Sequence, residues 1–468
     1  MEQHRRCRVS PSAVNRWTVR RSAFLRCACL AAGSLLLPCG CAQRAASGPL
    51  RVWSFNHFEG YEGMLKAQLA EFERRRPGFT TAYEIISWAE EDDKLTVAMA
   101  SGRPPDVLWG ALDPRWLATG LQVPIDDQLT AFDRRDFYDT ALEAMRFSGR
   151  LWGFPLYQTL YCMAGNAHMF EDASVSWRAI QSEGWPWDRF LSDCRALKAP
   201  GVYPFVFFVR PTPEMWSWFA LNNGVVDANS SGLRADGSFG WNRTGVAEAL
   251  QFLIDTFRRH GISPPQEPGF SDENQTDLFF TGRAAVSARQ GPYVLTEQKR
   301  IARAQAGGAR LPHPGYRAFP LALLPFPHHP ATAQRAHAGG GGYMVFRQKN
   351  VANPRRVEAA VRLAHFLSNT DGMQFAAHLS LLPSRRSGVR RFGGQLDLES
   401  PNMRFFQRYL QQSAPRIHPP LDVASSREAR VLEVAVTPNW EAALAADKTV
   451  PQAMSDMTAG AASVLNGT

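Results

Sequence analysis

The sequence lacks the short signatures of the common enzyme classes. It has no G-x-S-x-G, H-E-x-x-H, phosphate-loop or C-x-x-C motif, so hydrolase, metalloprotease, nucleotide and thiol-redox chemistry have no local support. The acidic pairs Asp92-Asp93 and Asp126-Asp127 are adjacent in sequence, and adjacent side chains point apart, which argues against an acid/base dyad. We therefore expect no enzyme, no cofactor and no metal site. Four histidines fall in a proline-rich stretch that we interpret as a solvated loop: His313, His328, His329 and His337.

Cysteine is also scarce. Of seven cysteines, four precede Cys41, and only Cys162 and Cys194 follow it. One disulfide between these two is arithmetically possible in an oxidising compartment. We favour two buried thiols, because Cys194 lies on an apolar helical stripe and buried cysteine is a common core residue.

No apolar run reaches the ~20 residues of a membrane-spanning helix. The run 27–37 is about half that length and follows an arginine-rich stretch, which predicts a cleaved export signal. Gly40-Cys41 is similar to the cleavage step of bacterial lipoprotein signals, so we expect Cys41 to be acylated, although Pro38 departs from that pattern. A plain secretory signal cleaved after Ala42 or later, and twin-arginine export through Arg20-Arg21, remain alternatives.

Positive charge is low once this leader is removed. The formal net charge is +9, and residues 1–40 carry six of those charges, which leaves about +3. So small a balance, without a basic stripe, excludes nucleic acid as the expected partner. The remaining length of a little over 420 residues fits two lobes rather than one core. Thirteen tryptophans either fill cores or offer flat faces for stacking on sugar rings.

Strand and helix patterns alternate along the chain. Apolar segments predict strands over 50–54, 81–86, 106–109 and 319–324. Amphipathic spacing predicts helices over 61–75, 94–100, 187–197, 244–260, 271–281 and 355–368. Strand–helix–strand alternation predicts parallel sheets with crossover helices.

Several ordered segments resemble family 1 extracellular solute-binding proteins of bacterial ABC importers, the maltose-binding-like group. They are 51–55 (RVWSF), 102–109 (GRPPDVLW), 120–127, 149–155 (GRLWGFP), 160–166, 187–190 (WDRF), 280–286, 291–293 (GPY), 339–346, 382–385 (LPSR) and 440–465. The resemblance implies an α/β, two-lobed periplasmic-binding-protein fold of class II, with hinge-linked parallel-sheet lobes. It implies a leader over 1–41, a tether over 42–49, lobe 1 over 50–158 with 338–383 returning to it, and lobe 2 over 159–337 completed by 384–468.

The resemblance also implies a function. We expect a binding protein that captures a carbohydrate or related polyol by hinge closure and delivers it to ABC permease subunits. We expect it to be an exported monomer, in the periplasm or on the outer face of the cell membrane, and to be attached to the membrane by a lipid anchor. The alternatives are a secreted carbohydrate-active enzyme and a ligand-sensing subunit of a signalling system; a glycerol phosphodiester is a variant ligand.

Ligands of open α/β sheets bind beyond the carboxyl ends of the strands, so loops there and the lobe crossings supply the candidate contacts. The candidates are Asn56, His57, Phe58, Trp88, Trp109, Asp113, Gln158, Thr159, Trp216, Tyr293, Gly339, Gly340 and Arg385. Some have a plainer alternative: Asn56 as a helix cap, Trp109 as core, and Arg385 as a solvated side chain. Trp216 is preferred to Trp218 as the cleft-lining member of its pair.

Overall fold

The computed structural model describes residues 48–87, 90–210, 213–265, 269–307, 311, 313–349, 353–413 and 418–467. The leader with Cys41, and the candidate contact Trp88, lie outside these residues. Among the described helices, none is both long and apolar enough to cross a membrane.

Twelve strands are described. They are β1 Leu50–Phe55, β2 Thr81–Ile86, β3 Val107–Gly110, β4 Arg146–Phe147, β5 Arg150–Leu151, β6 Phe154–Leu160, β7 Cys162–Asn166, β8 Tyr203–Val206, β9 Ala284–Gln290, β10 Leu321–Leu324, β11 Ala338–Val345 and β12 Leu382–Pro383.

Helices surround the strands. The first ten are α1 Tyr61–Arg75, α2 Glu91–Ala100, α3 Pro114–Ala118, α4 Ala131–Asp136, α5 Asp139–Glu143, α6 Ala167–Asp172, α7 Trp177–Glu183, α8 Trp187–Ala196, α9 Glu214–Leu221 and α10 Thr244–Arg258. The others are α11 Asp272–Phe280, α12 Tyr293–Gly307, α13 Pro354–Leu367, α14 Gln374–His378, α15 Arg386–Leu396, α16 Pro401–Gln411, α17 Leu421–Ser426, α18 Glu428–Val431, α19 Thr437–Ala445 and α20 Val450–Asn466. A 3₁₀ turn spans Asp126–Gln128 and a π-helical turn spans Leu432–Val436.

Two mixed sheets form the centres of two lobes. The first has the order β12-β6-β11-β3-β1-β2, and the second has the order β10-β7-β9-β8. The predicted parallel pairing holds for β1 with β2 and β3, and for β8 with β9. Both sheets also contain antiparallel pairs, because β11 runs antiparallel to β3 and β6, and β7 runs antiparallel to β9 and β10. These are the strands by which the chain leaves one lobe and returns to it in the opposite direction.

Each sheet has its own hydrophobic core. The predicted face of α1 is buried in the first core through Leu65, Leu69 and Phe72. The second core contains both described cysteines, Cys162 and Cys194, which are free and fully buried, in agreement with the preferred interpretation. Burial raises the pKa of both thiols.

The chain passes between the lobes at three places. Leu160–Cys162 joins β6 to β7, and residues 325–337 join β10 to β11. The third passage lies later than the expected one after Pro383, because Phe392 and Leu396 of α15 still pack in the first core. Leu398 contacts both cores, and Met403 of α16 belongs to the second. We keep the other expected lobe boundaries, at residues 50, 158–159 and 337–338, as a proposal.

Candidate functional site

The floor between the lobes is a two-stranded crossing ribbon, formed by β6 and β11. Side chains alternate along β6, so Tyr157 and Thr159 are half-buried on one face while Gln158 is buried on the other. We call these the front face and the reverse face. Gly341 and Gly339 pair with Tyr157 and Thr159, and so leave the front face without β11 side chains.

Tyr161 continues the floor into the second lobe. It is half-buried, and its ring meets the edge of Trp218 at a centroid distance of 5.5 Å. Burial raises the pKa of Tyr157, and the nearby Tyr161 phenol adds to that rise, so the Tyr157 hydroxyl stays protonated. Sequence reasoning missed these two tyrosines, although the two-residue period starting from Thr159 predicts them.

The first lobe contributes the loop after β1 and an aromatic cluster. Asn56 is exposed, and His57 packs at 4.0 Å from Trp109 between ring centroids. Trp109 is 5% exposed and stacks nearly parallel to Tyr157 at 6.0 Å, so it supports the floor from the core, as the alternative reading held. Burial lowers the pKa of His57 to about 3, which keeps this imidazole neutral. The loop therefore offers uncharged polar groups to a ligand.

The second lobe contributes Tyr293, the first residue of α12. β9 ends at Gln290 opposite Cys162 of the crossing, and the Tyr293 hydroxyl donates to Gln290 Oε1 at 3.1 Å. Tyr293 is 39% exposed, which is unusual for a large ring in this fold. One turn later the hydroxyl of Thr296 donates to the carbonyl oxygen of His378 at 3.1 Å.

His378 belongs to the first lobe and brings the two walls together. Its ring stacks on Phe58 at 4.8 Å, so the start of α12 lies beside the loop after β1. The structure thus gathers five of the sequence candidates around the front face: Asn56, His57, Phe58, Thr159 and Tyr293. Gly339 joins them as the partner of Thr159.

A charged cluster lies after β3 of the first lobe. Asp113 caps α3 by accepting from the Arg115 backbone N–H at 2.8 Å. The Arg115 guanidinium then bonds Asp113 at 2.7 Å and Asp92 at 2.9 Å. Burial raises the pKa of Glu91, with Asp92 and Asp113 adding to the shift. The Asp113 carboxylate is therefore already engaged in capping α3 and in the ion pair with Arg115.

Trp216 is not a cleft residue. It is fully buried, and its indole N–H donates to the Val246 carbonyl oxygen at 2.7 Å while its ring packs against Trp241 and Trp440. Apart from Glu214, every residue of α9 is buried, so this helix presents no open face. The two tryptophans of this helix therefore serve core packing, and Tyr157, Tyr161 and Tyr293 supply rings to the front face.

Gln158, Gly340 and Arg385 lie away from the front face. Gln158 pairs with Gly340 on the reverse face, and both Gly339 and Gly340 also line a cavity of about 540 Å³ together with Thr140 and His418. Arg385 is 2% exposed and ion-paired inside the first lobe, at 2.8 Å from Asp133. Strand parity turns Gln158 from the front face, and burial encloses Arg385 in the first lobe.

The front face combines hydroxyls, rings and bare backbone. Tyrosine and threonine hydroxyls can donate to and accept from a polyol, and an exposed ring can cover the apolar face of a sugar. Glycines let a ligand approach the backbone closely. This arrangement suits a neutral, hydroxyl-rich solute held between two moving walls.

Comparison with known proteins agrees with this architecture. Residues 57–374 match the family model described as bacterial extracellular solute-binding protein. A putative binding protein of Brucella abortus is 24% identical over 222 residues, which are 46% of this chain and 51% of that protein. The alignment thus spans about half the length of the curated relatives that the chain matches.

Solved structures match over a greater length. A maltose-bound T. maritima protein has a TM-score of 0.66 at 18% identity, covering 88% of this chain and 99% of its own. The glycerophosphocholine complex of UgpB from Mycobacterium tuberculosis has a TM-score of 0.67 at 18% identity, covering 90% and 99%. At these identities the likeness establishes the fold.

Proposed function

The chain belongs to the bacterial extracellular solute-binding proteins, and on that premise we propose that it captures a carbohydrate or related polyol for an ABC importer. The observation that carries this proposal is the front face of the crossing ribbon, where hydroxyls, rings and glycines meet between two lobes. Closure of the lobes over the ligand would place Tyr293 on one side and the loop after β1 on the other. The closed protein would then present its cargo to the permease subunits.

A neutral ligand fits the distribution of charge. The floor carries tyrosine, threonine and glycine, and His57 in the loop after β1 stays neutral. The rim guanidinium of Arg115 already binds two carboxylates, Asp113 and Asp92. A phosphodiester would need a cation to offset its charge, and both Arg115 and Arg300 of α12 would have to leave carboxylate partners to supply one. This favours a sugar over the glycerol phosphodiester variant.

The contacts are sufficient for useful affinity. Micromolar binding corresponds to about −8 kcal/mol, after the cost of association is met. A stacked ring adds about 1 kcal/mol beyond area burial, and closure excludes water from the hydroxyl contacts, which strengthens them. Several hydroxyl bonds with one stacked ring would reach this range.

We further propose that the protein is exported, acts as a monomer and is held at the membrane by a lipid on Cys41. The arginine-rich leader and the Gly40-Cys41 step support this. In the native host, Cys41→Ala should move the protein from the detergent phase to the aqueous phase of a phase partition. A variant that stays in the detergent phase would overturn the anchor.

The ligand class can be tested directly. Purified protein is titrated by calorimetry with glucose, maltose, maltotriose, chitobiose and glycerophosphocholine, and the sugar solutions are analysed afterwards by chromatography. We expect saturable binding of at least one sugar without any cleavage product. Binding of glycerophosphocholine alone would replace the sugar with a phosphodiester, and released products would favour the enzyme alternative.

A transport assay distinguishes an importer subunit from a ligand-sensing subunit. Deletion of the chain in its host should abolish uptake of the radiolabelled sugar that binds in calorimetry. Normal uptake with lost transcriptional response to that sugar would support the signalling alternative instead.

A further inference from the structure

Gln158 is buried directly behind the ligand-facing floor. Its side-chain Oε1 accepts from the Thr140 hydroxyl at 2.6 Å, and its Nε2 donates to the Pro383 carbonyl oxygen at 3.2 Å. Thr140 lies in α5 and Pro383 lies in β12. One amide therefore ties the crossing ribbon both to the helix that precedes it and to the edge strand beside it.

β12 needs such support, because it has only two residues. A strand this short gains little from its own ladder. The residue that follows adds three bonds. The Ser384 hydroxyl donates to the Pro155 carbonyl oxygen at 2.6 Å, its N–H donates to the Leu156 carbonyl oxygen at 3.3 Å, and the Tyr138 N–H donates to the Ser384 carbonyl oxygen at 3.0 Å.

Arg385 then fixes the end of this segment inside the first lobe. Its guanidinium donates to Asp133 at 2.8 Å, lies 3.4 Å from Asp136 and donates to the Ser368 carbonyl oxygen at 2.7 Å. It also lies 3.8 Å from the centre of the Phe137 ring. The three charged side chains are at most 4% exposed, so the cluster is sealed from solvent.

An imidazole and an exposed guanidinium approach the cluster from its edges. His365 Nε2 lies 2.9 Å from Asp133, and the exposed Arg390 lies 3.9 Å from Asp136. Burying charge costs desolvation free energy, so such a cluster is weak evidence for added stability. It does impose one geometry on the groups it joins.

The support stops at Gln158. The pairing of β12 with β6 covers Tyr157 and Gln158, through Pro383 and Leu382. From Thr159 onward the described part of β6 pairs with β11 alone, on the opposite edge, through Gly339 and Ala338, where few side chains resist bending.

We propose that Gln158 and Arg385 are positioning residues for ligand capture, which clamp β12 onto β6 so that the lobes pivot beyond Gln158. The inference rests on the proposed capture of a ligand by lobe closure. The clamp holds Tyr157 in the wall of the first lobe, and the movement falls on Thr159–Tyr161 and the facing end of β11.

The test compares Gln158→Leu with a matched control, Gln181→Leu. Gln181 is a buried glutamine of the second lobe that likewise donates to a backbone carbonyl oxygen, that of Leu323, at 2.8 Å. Spin labels at Arg74→Cys in α1 and Arg259→Cys after α10 report the distance between lobes by pulsed electron resonance. Both side chains are at least 71% exposed, so labelling should not disturb the cores.

We expect Gln158→Leu to broaden the interlobe distance distribution of the ligand-free protein and to raise Kd for the bound sugar about tenfold. Gln181→Leu should lower the melting temperature about as much as Gln158→Leu does. It should leave the interlobe distance distribution and Kd as in the parent. Arg385→Lys, which retains the charge without the planar fork, should give an intermediate broadening.

Equal distance distributions in Gln158→Leu and Gln181→Leu would overturn the clamp, whatever the affinities are. If the parent protein binds no sugar, the proposed ligand fails, but the ligand-free distance distributions still decide the clamp. If Arg385→Lys does not fold, the comparison of the two glutamine variants remains decisive.

Discussion

Tyr293→Ala should weaken sugar binding about thirtyfold while leaving the fold intact. An aromatic side chain buries roughly 150–250 Å² when fully covered, and Tyr293 is 39% exposed, so about 80 Å² is open to a ligand. If the sugar covers one face, about half of that area is buried, which is worth about 1 kcal/mol at ~25 cal/mol per Å². Ring stacking adds about 1 kcal/mol. The sum of about 2 kcal/mol corresponds to a Kd ratio of about thirty.

The stability cost should be small, because the variant removes a partly exposed ring and one hydrogen bond to Gln290. The assay is calorimetric titration together with thermal unfolding of the ligand-free protein. Tyr293→Phe keeps the ring and should lose less affinity. Phe132→Ala is the matched control, because this ring is 56% exposed on α4, outside the front face, and its loss should leave Kd unchanged. A Kd of Tyr293→Ala within twofold of the parent, or a collapse of the fold, would refute the reasoning.

Three further outcomes are expected. Burial lowers the pKa of His57 to about 3, so below pH ~6.5 the unfolded chain binds a proton that the folded chain does not. As the pH is lowered from ~6.5, this residue should therefore reduce the free energy of unfolding by up to ~1.4 kcal/mol per pH unit. Denaturant titrations should show a shallower decline with falling pH in His57→Gln than in the parent. Trp216→Ala should cost about 3–5 kcal/mol of unfolding free energy without changing Kd in the folded fraction, and a change of Kd at full stability would return Trp216 to the cleft. Gly342→Ala should prevent folding, because its Cβ would lie 2.0 Å from the Phe154 carbonyl oxygen, whereas Gly339→Ala, whose nearest neighbour is 3.6 Å away, should fold normally by circular dichroism.

Local patterns predicted the elements of the fold well. The 3.6-residue period places α1 correctly, and the strand–helix alternation places β1, β2 and β3 side by side. Chain length predicted two lobes, and the resemblance to solute-binding proteins supplied their boundaries, which periodicity alone does not give. The direction of the crossing strands could not be read locally, because it depends on how often the chain changes lobe.

Site residues were harder to predict, for physical reasons that differ from residue to residue. Gln158 and Thr159 are neighbours on a strand, so only one of them can face the ligand, and the sequence does not say which. Trp216 illustrates a different difficulty, because an indole suits a core as well as a sugar face. Arg385 finds its carboxylate partners about 250 residues earlier in the chain, a pairing that no local pattern contains.

The two sealed thiols, Cys162 and Cys194, bear on how the body of the protein can be made. Since neither is bonded to another sulfur, this part of the chain has no folding step that waits for an oxidant. A reducing host cytosol should therefore yield the same packed lobes as an oxidising envelope. The refolding yield should likewise be the same with and without added glutathione.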